Sequence, residues 1–505
     1  MPFAEPVVHS RLGNDFVRLT MRSRQAGWRS ARHVAPPPAP LPTPTAVPAH
    51  AAPRTPVQAQ SRRSGAMRRV GAQAVAAAKS PVGRWSVAFI GVLGYVYAAV
   101  TYGLPIVMPS IIVAVLGLAL ERNRIVIPLF LMIFAMYIAW TAAGWSASWR
   151  PDASVDQTTT LAKVLLIAFV IVNVTRDGWR IRTFMIFFLA CFAAYPTRGT
   201  YVNYFIAGYT WFGRALWNFI YNNSNDLAAL TFFPLSLTVA LALTEKKGWV
   251  KRAAFVGAGA LPLMILLTQS RGALIGLVAA GLVFFIAHAK GKRIRSVLIA
   301  LAMFVVIAPF VPESAWRRFG GMKELTSEDT IQRADPEGSA DARWNIWRVA
   351  RVIVAENPMT GVGLGAYSLA HAQYSARINN VPPAARGGKD THSTYLNIAA
   401  ETGLPGLILF IAMVASVAVP AELTRRRAKG TPRATQLLAL ELGLLGFLVA
   451  GIFGSFGKLS FLYVQLSLIW AATDLTKREL AELAAPPGAR SRVQGMPPTL
   501  QPRTA

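Results

Sequence analysis

The sequence predicts an all-α integral membrane protein with about twelve transmembrane helices and a long extracytoplasmic loop between the ninth and tenth. Three observations carry that expectation. A mean hydropathy of +0.40, with 53% hydrophobic and 15% charged residues, is too apolar for a soluble chain of 505 residues. No charge lies between Arg84 and Glu121, and Trp85 to Thr141 holds only three. The basic residues sit in the tails and in alternate short connections between apolar runs. Hydrocarbon offers the backbone no water, so each run must close its own hydrogen bonds as a helix.

Residues 1–84 carry thirteen Lys/Arg against two acids. Their run Ala35-Pro-Pro-Pro-Ala-Pro-Leu-Pro-Thr-Pro supports neither helix nor ladder. No apolar h-region is present, which excludes a signal peptide. The expectation is a disordered, basic, Pro-rich cytoplasmic tail, or a stretch upstream of the true start, with contact to anionic lipid as the functional alternative. Residues 85–475 then form the polytopic domain. Its spans are expected near 86–102, 105–120, 125–143, 159–175, 183–197, 226–244, 253–269, 272–288, 296–311, 403–420, 435–456 and 459–473. The first two make a hairpin around Gly103-Leu-Pro105. Lys163 and Glu441 fall near span ends, where charge is tolerated. Residues 476–505 read as a second disordered cytoplasmic tail.

Orientation follows from the positive-inside rule. One set of short loops carries Arg122 and Arg124; Arg176, Arg180 and Arg182; Lys246, Lys247, Lys251 and Arg252; Lys290, Lys292, Arg293 and Arg295; and Arg425, Arg426, Arg427, Lys429 and Arg433. The opposite set holds Arg150, Arg271 and Lys458. Both termini are therefore expected in the cytoplasm of a bacterial inner-membrane protein, with residues 312–402 on the periplasmic side. The net charge of +29 is spread over tails and loops, so nucleic acid is not the expected partner and the lipid bilayer is. The single cysteine, Cys191, excludes an intrachain disulfide.

Two outer regions hold the polar chemistry. Residues 198–225 are rich in aromatics, Asn and Arg, a composition suited to the membrane interface. Residues 312–402 contain ten Lys/Arg and ten Asp/Glu. Within them Ile346, Val349, Ala350 and Ile353 predict an amphipathic helix starting near Asp341 and ending at Asn357-Pro358. Gly361-Val-Gly363-Leu-Gly365 predicts turns. It is weak evidence for nucleotide binding, because no strand–turn–helix context accompanies it.

Of six histidines, only His371 and His392 fall on the outer side. His392 opens a short apolar helix just before Gly403-Leu-Pro405-Gly406, near the membrane surface; its bland alternative is a solvated or capping group. Glu401 lies nine residues on, about two and a half turns, and faces away from His392. A structural bond to another loop suits it better. Arg271 stands in a very short outer turn, where a guanidinium is costly unless paired or used. It is either an interfacial snorkelling residue or an anion clamp, since its planar fork fits phosphate. Arg214 and Arg343 offer the same choice between clamp and surface ion pair.

These residues stand in an ordered set of short motifs. Arg214 precedes Asn223-x-Asn225-Asp226; Thr268-Gln-Ser270-Arg271-Gly272-Ala follows; then come Arg343-x-x-x-Trp347, Asn357-Pro-x-x-Gly361-x-Gly363-x-Gly365, His392-Ser-x-Tyr395-Leu and Glu401-x-Gly403. The set resembles the O-antigen ligase and O-antigen polymerase family over residues 86–475, with His392-Ser393 where that family usually has His-Asn. The resemblance implies a GT-C-like helical fold and a metal-independent glycosyltransferase without cofactors. Its donor would be a glycan on undecaprenyl pyrophosphate. Its acceptor would be a hydroxyl of another glycan, of lipid A-core or of a protein. Arg214 and Arg271, with Arg343 as helper, would hold the pyrophosphate, and His392 would be the general base. The turn at Gly103-Leu104 lacks the acidic pair that a metal-dependent oligosaccharyltransferase would need there. Ligation, polymerisation of O-antigen or exopolysaccharide repeats, and protein O-glycosylation share this chemistry. A transporter or a non-catalytic scaffold is the competing class, and it would place charges near the bilayer midplane.

Overall fold

A computed structural model describes residues 85–484 apart from 122–124, 247, 321–338 and most of 288–304, and every described element is helical. Among the described residues, five helices are long and apolar enough to cross a membrane, and four shorter apolar ones accompany them. In chain order the helices are α1 (Val87–Thr101), α2 (Val107–Leu120), α3 (Leu129–Ala143), α4 (Pro151–Val174), α5 (Gly178–Phe192), α6 (Ser224–Thr244), α7 (Trp249–Leu267), α8 (Arg271–Ala287), α9 (Glu313–Gly320), α10 (Ser339–Glu356), α11 (Tyr367–Arg377), α12 (Thr394–Arg427), α13 (Pro432–Ala450) and α14 (Ser460–Ala484). The expected tail at 1–84 and, within the expected ninth span, residues 296, 299, 300, 303 and 304 lie outside the described residues.

Local chemistry sets the helix ends. Ser86 caps α1 by accepting from the Phe89 N–H at 3.2 Å, and Tyr102 closes it in the left-handed region. Asp177 caps α5 through the N–H groups of Trp179 and Arg180. The α1–α2 hairpin closes on small residues, Gly91 facing Ala114 and Gly117 facing Ala88, which lets the backbones approach. Gly276 of α8 and Gly443 and Gly446 of α13 do the same, bringing both helices against Phe232 and Ser236 of α6.

Two helices outrun their apolar windows. Pro151 in the first turn and Asp152 behind it start α4 eight residues before the expected 159. The start of the stretch expected as a tail from 476 is helical, because α14 continues to Ala484. Its last turns are polar and held by ion pairs, Arg478 with Asp474 at 3.1 Å and Arg433 with Glu479 at 2.8 Å, which hydropathy does not register.

The region expected as a long loop builds its own apolar core. Ile346, Val349, Ala350 and Ile353 of α10 bury against Val362, Tyr367, Ala370 and Tyr374. The α10 stripe and its end before Asn357 follow the sequence pattern. The glycine triplet proves to be a clamp. Gly361, Gly363 and Gly365 all have positive φ. Val362 N–H donates to Ala400 O and Gly363 N–H to Glu401 O, each at 2.9 Å, while Leu404 N–H donates to Pro358 O at 2.8 Å. These bonds lock the loop onto α12 where Gly403, at φ 72°, breaks the helix. A Cβ on Gly361 would overlap the Glu401 backbone, and one on Gly403 would overlap the Met359 carbonyl.

Candidate active site

His392 sits just before α12 with φ 50°, a left-handed conformation that costs a non-glycine residue about 1–2 kcal/mol. Its neighbours hold that shape. Trp347 of α10 donates its indole N–H to Thr391 O at 2.9 Å, and Asn397 donates to Thr391 Oγ1 at 3.0 Å. Thr394 N–H reaches Gly451 O at 2.7 Å, Thr394 Oγ1 reaches Gly454 O at 2.7 Å, and Tyr395 OH reaches Leu448 O at 2.9 Å. The His392 segment is thus strapped onto the turn between α13 and α14. Lys458 of that same turn pairs with the buried Glu401 at 2.7 Å. Glu401 therefore fastens α12 to this turn, as its position on the helix suggested.

Arg214 is fixed from two sides. Its Nε donates to Thr268 O and an Nη donates to Asn225 Oδ1, both at 2.8 Å. The turn carrying it, Trp211 to Arg214, lies along the α7–α8 connection, where Ala215 N–H donates to Leu267 O at 2.9 Å and Gln269 Nε2 to Gly213 O at 3.0 Å. Arg271 follows at once as the first residue of α8, half-buried. Gly272 packs against Phe453, and the Phe453 ring lies 6.2 Å from Trp347, the residue bonded beside His392. Arg343 is close enough to His392 for its charge to act on the imidazole. Contacts therefore run without a gap from Arg214 through the Thr268–Arg271 turn, Phe453 and Trp347 to His392. The four residues singled out in the sequence belong to one end of the helices, brought there by three separated segments.

His371 stands apart. It is fully buried in the core between α10 and α11, with Nδ1 2.7 Å from Gly387 O. Burial lowers its pKa and keeps the ring neutral. His392 keeps 35% of its side chain exposed. Partial burial lowers its pKa as well; Asp390 opposes that, and Arg343 and Lys389 reinforce it. The resulting neutral imidazole can accept a proton at neutral pH.

The sequence reading passed over Asp390 and Ser455. Asp390 Oδ2 accepts from the His392 N–H at 3.1 Å and from Ser455 Oγ at 2.9 Å, and lies 3.3 Å from His392 Nδ1. The signal was present as Asp-Thr-His, since an Asp two residues ahead of a turn residue commonly accepts from its N–H. Asp226, beside the Arg214 partner Asn225, is within electrostatic reach of Asp390 and joins the helix start of α6 to the site.

Residues 253–411 match the family model described as O-antigen ligase. That segment contains Arg271, Arg343 and His392, while Arg214 lies upstream of it. No curated protein matches the chain.

Proposed function

We propose that this chain, which matches the O-antigen ligase model over residues 253–411, is a multi-pass membrane protein that moves a glycan from an undecaprenyl-pyrophosphate carrier to an acceptor hydroxyl at the periplasmic face, without a metal. About twelve spans with both termini in the cytoplasm put the His392 end of the helices on that face, in keeping with the charge asymmetry of the loops. Arg214 and Arg271, helped by Arg343, hold the pyrophosphate. His392 takes the acceptor proton.

The observation that carries this reading is the continuous run of contacts from the Arg214 and Arg271 turns to a partly exposed, neutral His392. The physics suits the reaction. As the anomeric carbon–oxygen bond breaks, its electron pair leaves on the pyrophosphate. Guanidinium groups already in place stabilise that charge without reorganising. The acceptor oxygen forms the new bond to the anomeric carbon while its proton passes to the imidazole. Proton removal by a positioned base contributes about 100- to 10,000-fold.

The test is a gel of surface polysaccharide from a strain deleted for the gene and complemented with variants. His392→Ala and Arg271→Ala accumulate in the membrane as the wild type does but restore no glycan transfer. A normal polysaccharide ladder from both variants overturns the reading. Long chains left on the lipid carrier in the deletion strain indicate ligation, whereas retention of single repeats only indicates polymerisation.

A further inference from the structure

We propose that Asp390 is a positioning residue for His392, holding the imidazole with Nδ1–H turned toward its carboxylate so that Nε2 faces the acceptor hydroxyl. The inference rests on reading His392 as the base and adds to it the group that sets which nitrogen acts.

One oxygen does the positioning. Asp390 Oδ2 accepts from the His392 backbone N–H at 3.1 Å, accepts from Ser455 Oγ at 2.9 Å, and stands 3.3 Å from Nδ1. The first bond closes a tight turn that ends at the His392 backbone nitrogen. The second anchors the carboxylate to the α13–α14 turn, the same turn that holds Thr394 and Tyr395. The third distance is long for a hydrogen bond, as such contacts commonly are before substrate binds. A neutral imidazole has one N–H donor and one acceptor nitrogen. An acceptor-only carboxylate beside Nδ1 selects the tautomer with the proton there, which leaves the Nε2 lone pair for the acceptor proton. After transfer both ring nitrogens carry protons, and the cation sits against the Asp390 charge.

The surrounding charges fit this arrangement. Arg343 from α10 and Lys389 from the His392 segment both oppose protonation of His392, and Asp390 is the group that favours it. Asp226 faces Asp390 from the first turn of α6. Without Asp390 the imidazolium formed during transfer would meet cations uncompensated.

A purely structural Asp390 would serve only as the acceptor for the His392 N–H and Ser455, and an amide oxygen can do that equally well. Asp390→Asn therefore separates the two roles. The full-length protein is assayed in permeabilised membranes of the deletion strain, which supply their own lipid-linked glycan and acceptor, with transfer rate measured against pH. Asp390→Asn is expected to accumulate normally and to lose about tenfold or more in rate, part of what a positioned base contributes. Its acid limb moves to lower pH by about one unit, because a neighbouring opposite charge has been removed. Asp390→Glu regains part of the rate and returns the limb toward the wild-type position. Wild-type rate and limb in Asp390→Asn, with His392→Ala inactive, overturn this proposal and leave His392 as the base. Wild-type transfer by His392→Ala overturns both. Should Asp390→Asn fail to accumulate, Ser455→Ala carries the same test by freeing the carboxylate from its anchor; an unchanged rate and limb there overturn the proposal.

Discussion

Gln269 and His392 share a backbone conformation, with φ of 52° and 50°, and use it for opposite ends. The Gln269 side chain is 3% exposed, and its amide donates to Gly213 O at 3.0 Å and to Ser314 Oγ at 3.3 Å. It is a strut that ties the Arg214 turn to the α7–α8 connection. The His392 side chain is partly exposed and meets Asp390, while Thr391, Thr394 and Tyr395 on either side make the structural bonds. Strain at Gln269 is offset by its own side chain. Strain at His392 is offset by its neighbours, which leaves the imidazole to act. The difference separates a residue that builds this site from one whose side chain is left available, the proposed base.

The largest effect expected is on transfer by His392→Ala, a loss of about 100- to 10,000-fold with the protein still folded, since the strap around residue 392 does not use the imidazole. The same reasoning sets the pH dependence. A base is active when unprotonated, and burial holds His392 below its ordinary pKa. The midpoint of the acid fall in transfer should therefore lie below about pH 6.5, the ordinary histidine value. A midpoint well above that value would mean that another group takes the proton. Gly403→Ala comes next and acts by structure alone. Its methyl group would strike the Met359 carbonyl at a positive φ, costing about 3 kcal/mol and loosening the clamp on α12. Reduced accumulation and a lower melting temperature are expected, with transfer falling only in proportion to folded protein.

Much of this arrangement was legible in the sequence because its physics is local. Charge-free runs marked the helices, and the Ile346–Ile353 stripe marked α10. Helix geometry alone turned Glu401 away from His392, and its pairing with Lys458 agrees. The glycine triplet could be read as turns but not as a clamp, because its partners at Ala400 and Glu401 lie some 40 residues on. Asp390 went unread for a related reason. Its role depends on Ser455, a residue brought in from another turn, and a lone acid beside a histidine carries little signal until that anchor is seen. The ends of α4 and α14 were missed because caps and ion pairs, rather than hydropathy, extend them.

The smallest expected effect discriminates best between builder and reactor. Glycine adopts a left-handed φ freely, so Gln269→Gly and His392→Gly each relieve about 1–2 kcal/mol of backbone strain. Gln269→Gly also deletes two hydrogen bonds worth about 0.5–1.5 kcal/mol each, so its net stability change should fall between a gain of about 1 and a loss of about 2 kcal/mol. What it loses is the hold on Gly213 and hence on Arg214, so the apparent KM for the lipid-linked donor should rise severalfold with kcat little changed. His392→Gly keeps the backbone bond to Asp390, and it should melt at or above the wild-type temperature while losing transfer to the same extent as His392→Ala. If Gln269→Gly instead lost kcat with KM unchanged, Gln269 would be acting on the reaction itself, and the division between the two strained residues would fail.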